Sequence, residues 1–478
     1  MVLFLLNNIK IEKIFVYLAV IFGFIFIMII PPFQSPDEDS HFKKAYVVSR
    51  GDFFPIEKDN KLGYYLSDDM VNYIDGKLEY AGKLDKKYSF KEMYFDERLP
   101  KDYTKKSFYN FTTVMVNPIA YIAPTTGILV GKAFLPILKI SNNNQSVVYM
   151  LYFARIFSLI MYIVLIYFAI KTTPILKKTF GMIGLIPMSL SLASCISYDN
   201  FLIPLSLLLS AIIFKLTYDD EVKNINKKYI IAIIVIGFIL LNVKIVYATL
   251  LLLLFMIPKE KWGSKKSNRL IRIAMVFGFI VGLTIIFKIP YYFLSAKDAN
   301  SEFYSEQLSY ILNNPFNYLM VFMRTIKNAF YFYLSGMIGT FGLIDTNILS
   351  PFVLFYFILF MLTGISEISL LNKKIPLFSK ALVAISVVGS IFGIFTAMYI
   401  VWTSILPGYG IGAPIISGVQ GRYFIPLLAV SFIIFGNKVI VKNKYLKKGA
   451  ETLVTNSYFI STILLIITTI TIIFRYWC

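Results

Sequence analysis

The chain has 478 residues, 57% of them hydrophobic and 17% aromatic, with a formal net charge of +20 and a single histidine. Many apolar stretches exceed the roughly 18 residues that mark a spanning helix, which excludes a soluble globular class and defines a polytopic membrane protein. The lysines fall mainly in short loops between apolar runs, where the positive-inside rule puts them, so the charge does not imply a nucleic-acid partner. Cys195 and Cys478 are far apart in sequence, which argues against a disulfide framework or a thiolate metal site.

The first apolar run, Ile14–Ile30, carries no charge and is long enough to cross a bilayer. Lys10 and Lys13 precede it and Pro31-Pro32-Phe33 follows without a small-x-small cleavage site, so it reads as a retained signal anchor. The two prolines stop the helix. Directly beyond come Asp37, Glu38, Asp39 and His41. Residues 31–146 then form a long polar segment expected outside the membrane. Its aromatic pieces, Lys61–Leu66 and Tyr103–Phe111, are expected as short helices lying on the membrane surface. Val116–Ile140 is apolar but is punctuated by Pro118, Pro124, Pro136 and Lys132, and the charge of the following loop places it at the interface.

Residues 147–473 hold the remaining expected spans: Val147–Ile170, Phe180–Ser197, Phe201–Leu216, Tyr229–Asn242, Ile245–Ile257, Ile273–Ile289, Pro351–Glu367, Ala381–Trp402, Tyr423–Phe435 and Tyr458–Ile473. The short stretch Asn242–Lys244 suits a re-entrant or broken helix. Residues 290–350 form a second outer segment, in which Phe316–Leu343, with Arg324 and Lys327, lies at the interface. Residues 403–422 form an outer glycine-rich loop. The fold expected is an all-α polytopic integral membrane protein, one membrane domain over 1–478 with about 11 transmembrane helices. Lysine-rich loops around Lys171, Lys223, Lys259, Lys373 and Lys438 agree on one orientation, with the N-terminus cytoplasmic and the Asp37 segment outside.

On this threading several polar residues converge on the outer leaflet. Asp37, Glu38, Asp39 and His41 follow the first span; Asp199 opens the fourth; Lys244 lies at the turn between the fifth and sixth; Gln420, Arg422 and Tyr423 open the tenth. Arg155 lies inside the second span near its outer half. An ionisable group at such a depth is costly without a partner or a purpose. Each also has a plain structural reading: Asp199 as a helix cap, Lys244 and Arg422 as snorkelling cations, the acids as solvated residues after a proline stop. Against these, the loop Gly408-x-Gly410 to Gly418-x-x-Gly421-Arg422 is unusual for snorkelling, because glycines expose backbone amides and arginine forks onto phosphate. Together the residues suit an enzyme that uses a lipid phosphate, with a carboxylate taking a proton from an acceptor hydroxyl. Asp37-x-Asp39 could hold a divalent metal through oxygen ligands, but the sequence supplies no full ligand set, so no cofactor is assigned.

Four motifs carry a resemblance: Pro31-Pro-x-x-x-Pro36-Asp37-Glu38-x-x-His41-Phe42-x-x-Ala45-Tyr46, Ser197-x-Asp199, Lys244-x-x-Tyr247, and Gly418-Val-Gln-Gly-Arg-Tyr-Phe-x-Pro426-Leu. They resemble a bacterial membrane-protein family of unassigned function that is similar to GT-C-type glycosyltransferases. The resemblance spans nearly the whole chain. It implies an enzyme on the outer face of the bacterial plasma membrane that takes a sugar from a polyprenyl-phosphate carrier. It further implies an acid on the first outer loop, here Asp37, and a second after the third span, here Asp199. Asn117-Pro118-x-x-Tyr121 resembles the juxtamembrane helix of such enzymes. The expected partners are a polyprenyl-phosphate-linked sugar donor, a cell-surface glycan or glycolipid acceptor, and membrane lipid.

The leading expectation is an inverting glycosyltransferase with Asp37 as general base and Glu38 or Asp39 assisting. A transporter or lipid-carrier flippase is the alternative; it would call for polar groups along a mid-membrane path and often internal repeats, and neither is evident. A scaffold for another envelope enzyme is a third reading.

Overall fold

Helix α1 (Ile11–Ile29) ends where Pro31 and Pro32 cannot continue it, and its capping residue Ile30 is already extended. The computed structural model describes residues 10–89, 103–134, 147–263, 267–295, 300–371, 375–436 and 439–478. The last part of the 116–140 stretch, and Lys265, Lys266, Lys373, Lys374 and Lys438 of the lysine-rich loops, lie outside the described residues. Beyond the proline turn, α2 (Glu38–Val48) is buried along nearly its whole length despite its polar sequence.

Two expected surface helices are strands. β1 (Ile56–Lys58) and β2 (Lys61–Ser67) form an antiparallel hairpin with Lys58 opposite Lys61, and β3 (Lys106–Tyr109) pairs with β2 on its other side. The reason is local. Asp59 and Asn60 both sit at positive φ, 51° and 58°, the two-residue turn whose twist matches a hairpin. Leu62, Tyr64 and Leu66 then bury one face while Tyr65 stays out, a period of two and not of 3.6. α3 (Asp68–Lys77) follows, its start capped by the Ser67 hydroxyl. Lys44 of α2 reaches into this unit and donates to the Tyr64 hydroxyl and the Val114 carbonyl, at 2.7 and 2.8 Å. Burial without a carboxylate partner pushes its pKa down to about 7.

Residues 118–121 form a 3-10 turn leading into α4 (Ile122–Phe134). At 13 residues α4 is shorter than the roughly 20 that a crossing requires. It runs beside α2, with Thr125 donating to the Ala45 carbonyl and Lys132 to the Ser49 hydroxyl. Its other side packs on α5 (Val147–Thr172), where a side chain at Gly127 would strike the backbone of Phe153 and Ala154.

Among the described residues seven helices are long and apolar enough to cross a membrane, and they coincide with seven of the expected spans: Ile11–Ile29, Val147–Thr172, Asp199–Tyr218, Arg269–Ile286, Ser350–Ser369, Leu377–Ile405 and Ser457–Tyr476. The other four expected spans are short or broken. Phe180–Ser197 is two helices, α6 (Lys177–Gly184) and α7 (Pro187–Ala193), because Pro187 forces the preceding residue out of helical geometry. α8 (Asp199–Tyr218) comes next, and α9 (Lys227–Val243) stops at Lys244, where the chain is extended before a 3-10 helix over Ile245–Met256. Gly421–Leu427 is also 3-10, continuing as an α-helix to Phe435. Phe316–Leu343, expected at the interface, is mostly one 24-residue helix, Pro315–Ile338.

α1 and the last helix, Ser457–Tyr476, end at the same end of the bundle. Trp477 donates from its indole to the Ile29 carbonyl at 2.8 Å, and Arg475 pairs with Asp345 at 2.9 Å while donating to the Tyr80 carbonyl. The polar residues singled out in the sequence gather at this end.

Candidate active site

The turn after α1 is built by one buried ion pair. Arg155 donates from Nε to Glu38 Oε1 at 2.8 Å and from Nη2 to Oε2 at 2.6 Å. Its other hydrogens go to the carbonyls of Ile27, Ile30 and Pro31, at and just beyond the C-terminal end of α1. All five guanidinium N–H groups are therefore used. Glu38 accepts two further bonds, from the backbone amides of Phe33 and Ile196, both at 3.1 Å, which fills its lone pairs. Both side chains are out of solvent.

This bears on two readings of the sequence. Glu38 is not free to assist a base, and of the two partners that suit Arg155, a lipid phosphate or a buried carboxylate, the structure shows the carboxylate. Their work is to hold Phe33 at φ 62° and to fix the turn that presents Asp37.

Asp37 itself lies in the left-handed region, φ 59° and ψ 11°, a conformation that aspartate tolerates and most residues resist. Its side chain is half exposed, and Oδ2 accepts from Arg422 Nη2 at 2.8 Å. Burial opposes its ionisation, but the neighbouring Arg422 outweighs that, with smaller help from His41 and Lys244, and the pKa is held below the usual value. Asp39 faces elsewhere: it accepts from the Ser40 hydroxyl and lies 3.7 Å from Lys43, which pairs at 2.7 Å with Asp75.

Asp199 is buried in the first turn of α8, where the helix dipole favours its charge. Its Oδ2 is 3.3 Å from Arg422 Nε, too poorly aligned for a hydrogen bond. Arg422 thus lies between two carboxylates, and its Nη1 has no hydrogen-bond partner. Gly421 brings it there: a side chain at that position would collide with the backbone of Tyr333, Gly336 and Met337, so only glycine lets the 421–427 turn press onto the helix Pro315–Ile338. Lys244 caps α9, and its ammonium is buried without a hydrogen-bond partner. It sits 3.4 Å from the Tyr423 ring centre and 5.6 and 5.7 Å from those of Tyr198 and Tyr247.

Above this cluster opens a recess of about 570 Å³. Asp37, His41, Tyr198, Gln420 and Tyr423 line it; Glu38, Asp39, Arg155, Asp199, Lys244 and Arg422 do not. Arg422 stands behind Asp37, and Lys244 behind the Tyr423 ring. Among the described residues Asp37 is the one carboxylate in the wall, and no lysine or arginine reaches it. His41 is buried with Nδ1 2.7 Å from the Tyr121 hydroxyl and its ring edge-on to Tyr198. Burial outweighs the neighbouring carboxylates and lowers its pKa to about 4, so it is neutral at pH 7 and offers hydrogen bonds without charge.

Sequence reasoning missed Tyr333, Trp402 and Tyr409, which wall the recess with aromatic surface. Tyr409 lay in plain view among glycines, and Trp402 at a helix end next to a polar loop. The glycines of that loop do take positive φ, at Gly408, Gly410, Gly412 and Gly418. Part of its backbone is already engaged: the amides of Gly412, Ile416 and Ser417 donate to Gln307, Thr325 and Thr403. Among the described residues no group of three or more His, Cys, Asp or Glu is placed to hold a metal ion.

Fold and site together define a helical polytopic membrane protein with a carboxylate-bearing recess at one end of its bundle. Residues 20–431 match the family described as "Predicted membrane protein (DUF2142)", and the chain belongs to that family. No curated protein and no solved structure matches the chain.

Proposed function

We propose that the protein is an inverting glycosyltransferase of GT-C type. In this reading it works at the outer face of a bacterial plasma membrane and moves a sugar from a polyprenyl-phosphate carrier to a cell-envelope glycan or glycolipid. The observation that carries the reading is the Asp37–Arg422–Asp199 cluster beneath an aromatic recess. A carboxylate, tyrosine hydroxyls, a glutamine amide and the indole of Trp402 suit a sugar, which presents hydroxyls at its edge and C–H groups on its faces. Four of about eleven crossing segments would then be the short or broken ones, and three of them break beside the site, at Lys244 and at Gly421–Leu427, where backbone irregularity is useful.

In the reaction the acceptor oxygen attacks the anomeric carbon, forming the new glycosidic bond. The bond from that carbon to the phosphate oxygen breaks, and its electron pair leaves with polyprenyl phosphate. The hydroxyl proton passes to Asp37 and then to water. The departing phosphate gains negative charge that the donor diester lacked, so cations beneath the recess stabilise the transition state more than the ground state. Among the described residues Arg422 Nη1 and Lys244 Nζ are cationic groups there without a hydrogen-bond partner. Asp37 is half exposed and can rotate toward the acceptor, uncovering Arg422; a phosphate on Arg422 then compensates the cation that holds down the pKa of Asp37 and makes the carboxylate a better base.

Envelope glycans and lipid carriers from a strain lacking the gene test the proposal. Loss of one sugar together with build-up of its polyprenyl-phosphate form is expected. Unchanged glycan with no accumulated carrier would sink it.

A further inference from the structure

A second cavity, of about 320 Å³, lies beside the recess and differs from it in chemistry. Its walls include Tyr333, Phe357, Ile391, Phe395, Phe424 and Phe432. The hydroxyl of Ser431, which also borders it, is consumed by the Leu427 carbonyl. Tyr333 belongs to both cavities, and its ring meets Phe395 and Phe424 edge-on at 5.6 and 5.8 Å.

Two independent elements show which way the groove runs. On the helix Leu377–Val401 and its continuation, Trp402 and Met398 face the recess while Phe395 and Ile391 face the groove. On the segment 421–435, Tyr423 faces the recess, and Phe424, Leu428 and Phe432 follow one another down the groove. From Met398 to Ile391 the helix descends about 10 Å at about 1.5 Å per residue. The groove therefore leaves the polar recess and runs along the bundle, toward the interior of the membrane-crossing helices. Phe330, on its rim, is 63% exposed, so the groove opens sideways from the bundle.

We propose that this groove holds the isoprene units beyond the first of the lipid carrier whose phosphate lies beneath the recess; the inference rests on the function proposed above. A molecule with one polar end and one apolar chain is what a recess bearing Asp37, with an apolar groove running down from the Tyr333 wall it shares, fits. A straight acyl chain gains little by leaving a bilayer of its own kind. A chain with planar double bonds and methyl branches gains contact with the five rings of Tyr333, Phe357, Phe395, Phe424 and Phe432.

The test is binding to the full-length protein in phosphatidylcholine nanodiscs, with undecaprenyl phosphate, dimethylallyl phosphate and hexadecyl phosphate as probes. Ile391→Trp and Met361→Trp fill the groove without touching the recess. Each is expected to weaken undecaprenyl phosphate roughly tenfold or more, since excluding two methylene-sized groups costs about that factor, and to leave dimethylallyl phosphate unchanged. Unchanged undecaprenyl phosphate affinity in both folded variants overturns the groove, as does hexadecyl phosphate binding the parent as tightly as undecaprenyl phosphate. Loss of affinity in Ile391→Trp with none in Arg422→Ala supports the groove while removing the phosphate reading. Should the tryptophan variants not fold, a diazirine on the second isoprene unit of undecaprenyl phosphate reports on the parent chain. Crosslinks within 326–337 or 424–432 support the groove, and crosslinks confined to other peptides overturn it.

Discussion

Arg155 and Glu38 consume each other completely: the guanidinium spends all its hydrogens, and the carboxylate all its lone pairs, on one another and on the backbone of the turn between α1 and α2. Such a network has nothing left for a substrate, and it freezes the segment on which Asp37 stands. The neighbouring carboxylates of the Pro-Asp-Glu motif thus divide their tasks, one facing the recess and one facing the interior.

A buried pair of this kind predicts a stability phenotype. Arg155→Met leaves Glu38 charged, buried and unpaired, and is expected to cost about 3–5 kcal/mol. Glu38→Gln does comparable harm. The double variant should lose less than the sum, because each single change strands the partner. Thermal unfolding of the purified variants measures it; additive losses would show that the two side chains do not act as a unit.

Asp37→Asn should behave in the opposite way. Asparagine also tolerates the left-handed region, so the turn keeps its shape, and the half-exposed side chain is not part of the interior. Turnover is expected to fall by roughly 10²–10⁴-fold, the range for losing a general base, with unfolding temperature nearly unchanged. A sugar-transfer assay on the intact variant decides it, and near-parental turnover removes Asp37 as the base.

The pH dependence follows from two depressed pKa values. Asp37 is held below the usual carboxylate range by Arg422, so its ionised form persists through neutral pH in the free protein. His41 drops to about 4 from an ordinary value near 6.5. Its unfolded form takes up a proton first as pH falls, so stability is full above about 6.5 and declines from there toward 4. At about 1.4 kcal/mol per unit the loss approaches roughly 3 kcal/mol. Melting curves between pH 7 and 4.5 should steepen downward for the parent and flatten for His41→Gln; parallel curves would show that His41 is not buried neutral.

Seven crossing helices were legible because length and hydropathy mark them without ambiguity. Phe180–Ser197 was not, although Pro187 signalled the break: hydropathy counts apolar atoms and ignores a lost amide. The hairpin at Asp59-Asn60 was likewise hidden, because Tyr64 and Tyr65 suit a membrane surface as well as they suit the period of a strand. At the site, residue type revealed which positions carry charge but not which charges face one another. Glu38 and Asp37 are adjacent in sequence and diverge because a single left-handed residue reverses the direction of the chain.

Orientation is open to direct labelling. Residues 59–60 form an exposed hairpin tip and Lys171 lies at the far end of α5 from Arg155. In a Cys478→Ser background the buried Cys195 should stay silent. Asn60→Cys is then expected to react with an impermeant thiol reagent on whole cells, and Lys171→Cys only after the membrane is opened. Reaction of Lys171→Cys from outside would turn the whole bundle over, α1 included, and place the recess on the cytoplasmic side.

Arg422 offers the sharpest test of the cluster, because its removal has two consequences that separate in measurement. Arg422→Ala leaves Asp37 and Asp199 facing each other without the cation between them, so the carboxylates repel and Asp37 no longer ionises as easily. The variant should lose stability and transfer together. Arg422→Lys keeps one charge but not the planar fork, and a single ammonium cannot satisfy both carboxylates. Its stability should fall little, while turnover falls partly and donor affinity less than turnover, since the phosphate needs the cation most when its charge grows. Lys244→Met removes the second unpartnered cation and leaves its apolar stem among Tyr198, Tyr247 and Tyr423. A loss smaller than that of Arg422→Lys is expected, because Lys244 stands behind the Tyr423 ring. Donor titrations and single-turnover rates with a polyprenyl-phosphate sugar resolve the three variants. Equal turnover in Arg422→Lys and the parent would assign the phosphate to Lys244, and a greater loss in Lys244→Met would reverse their order.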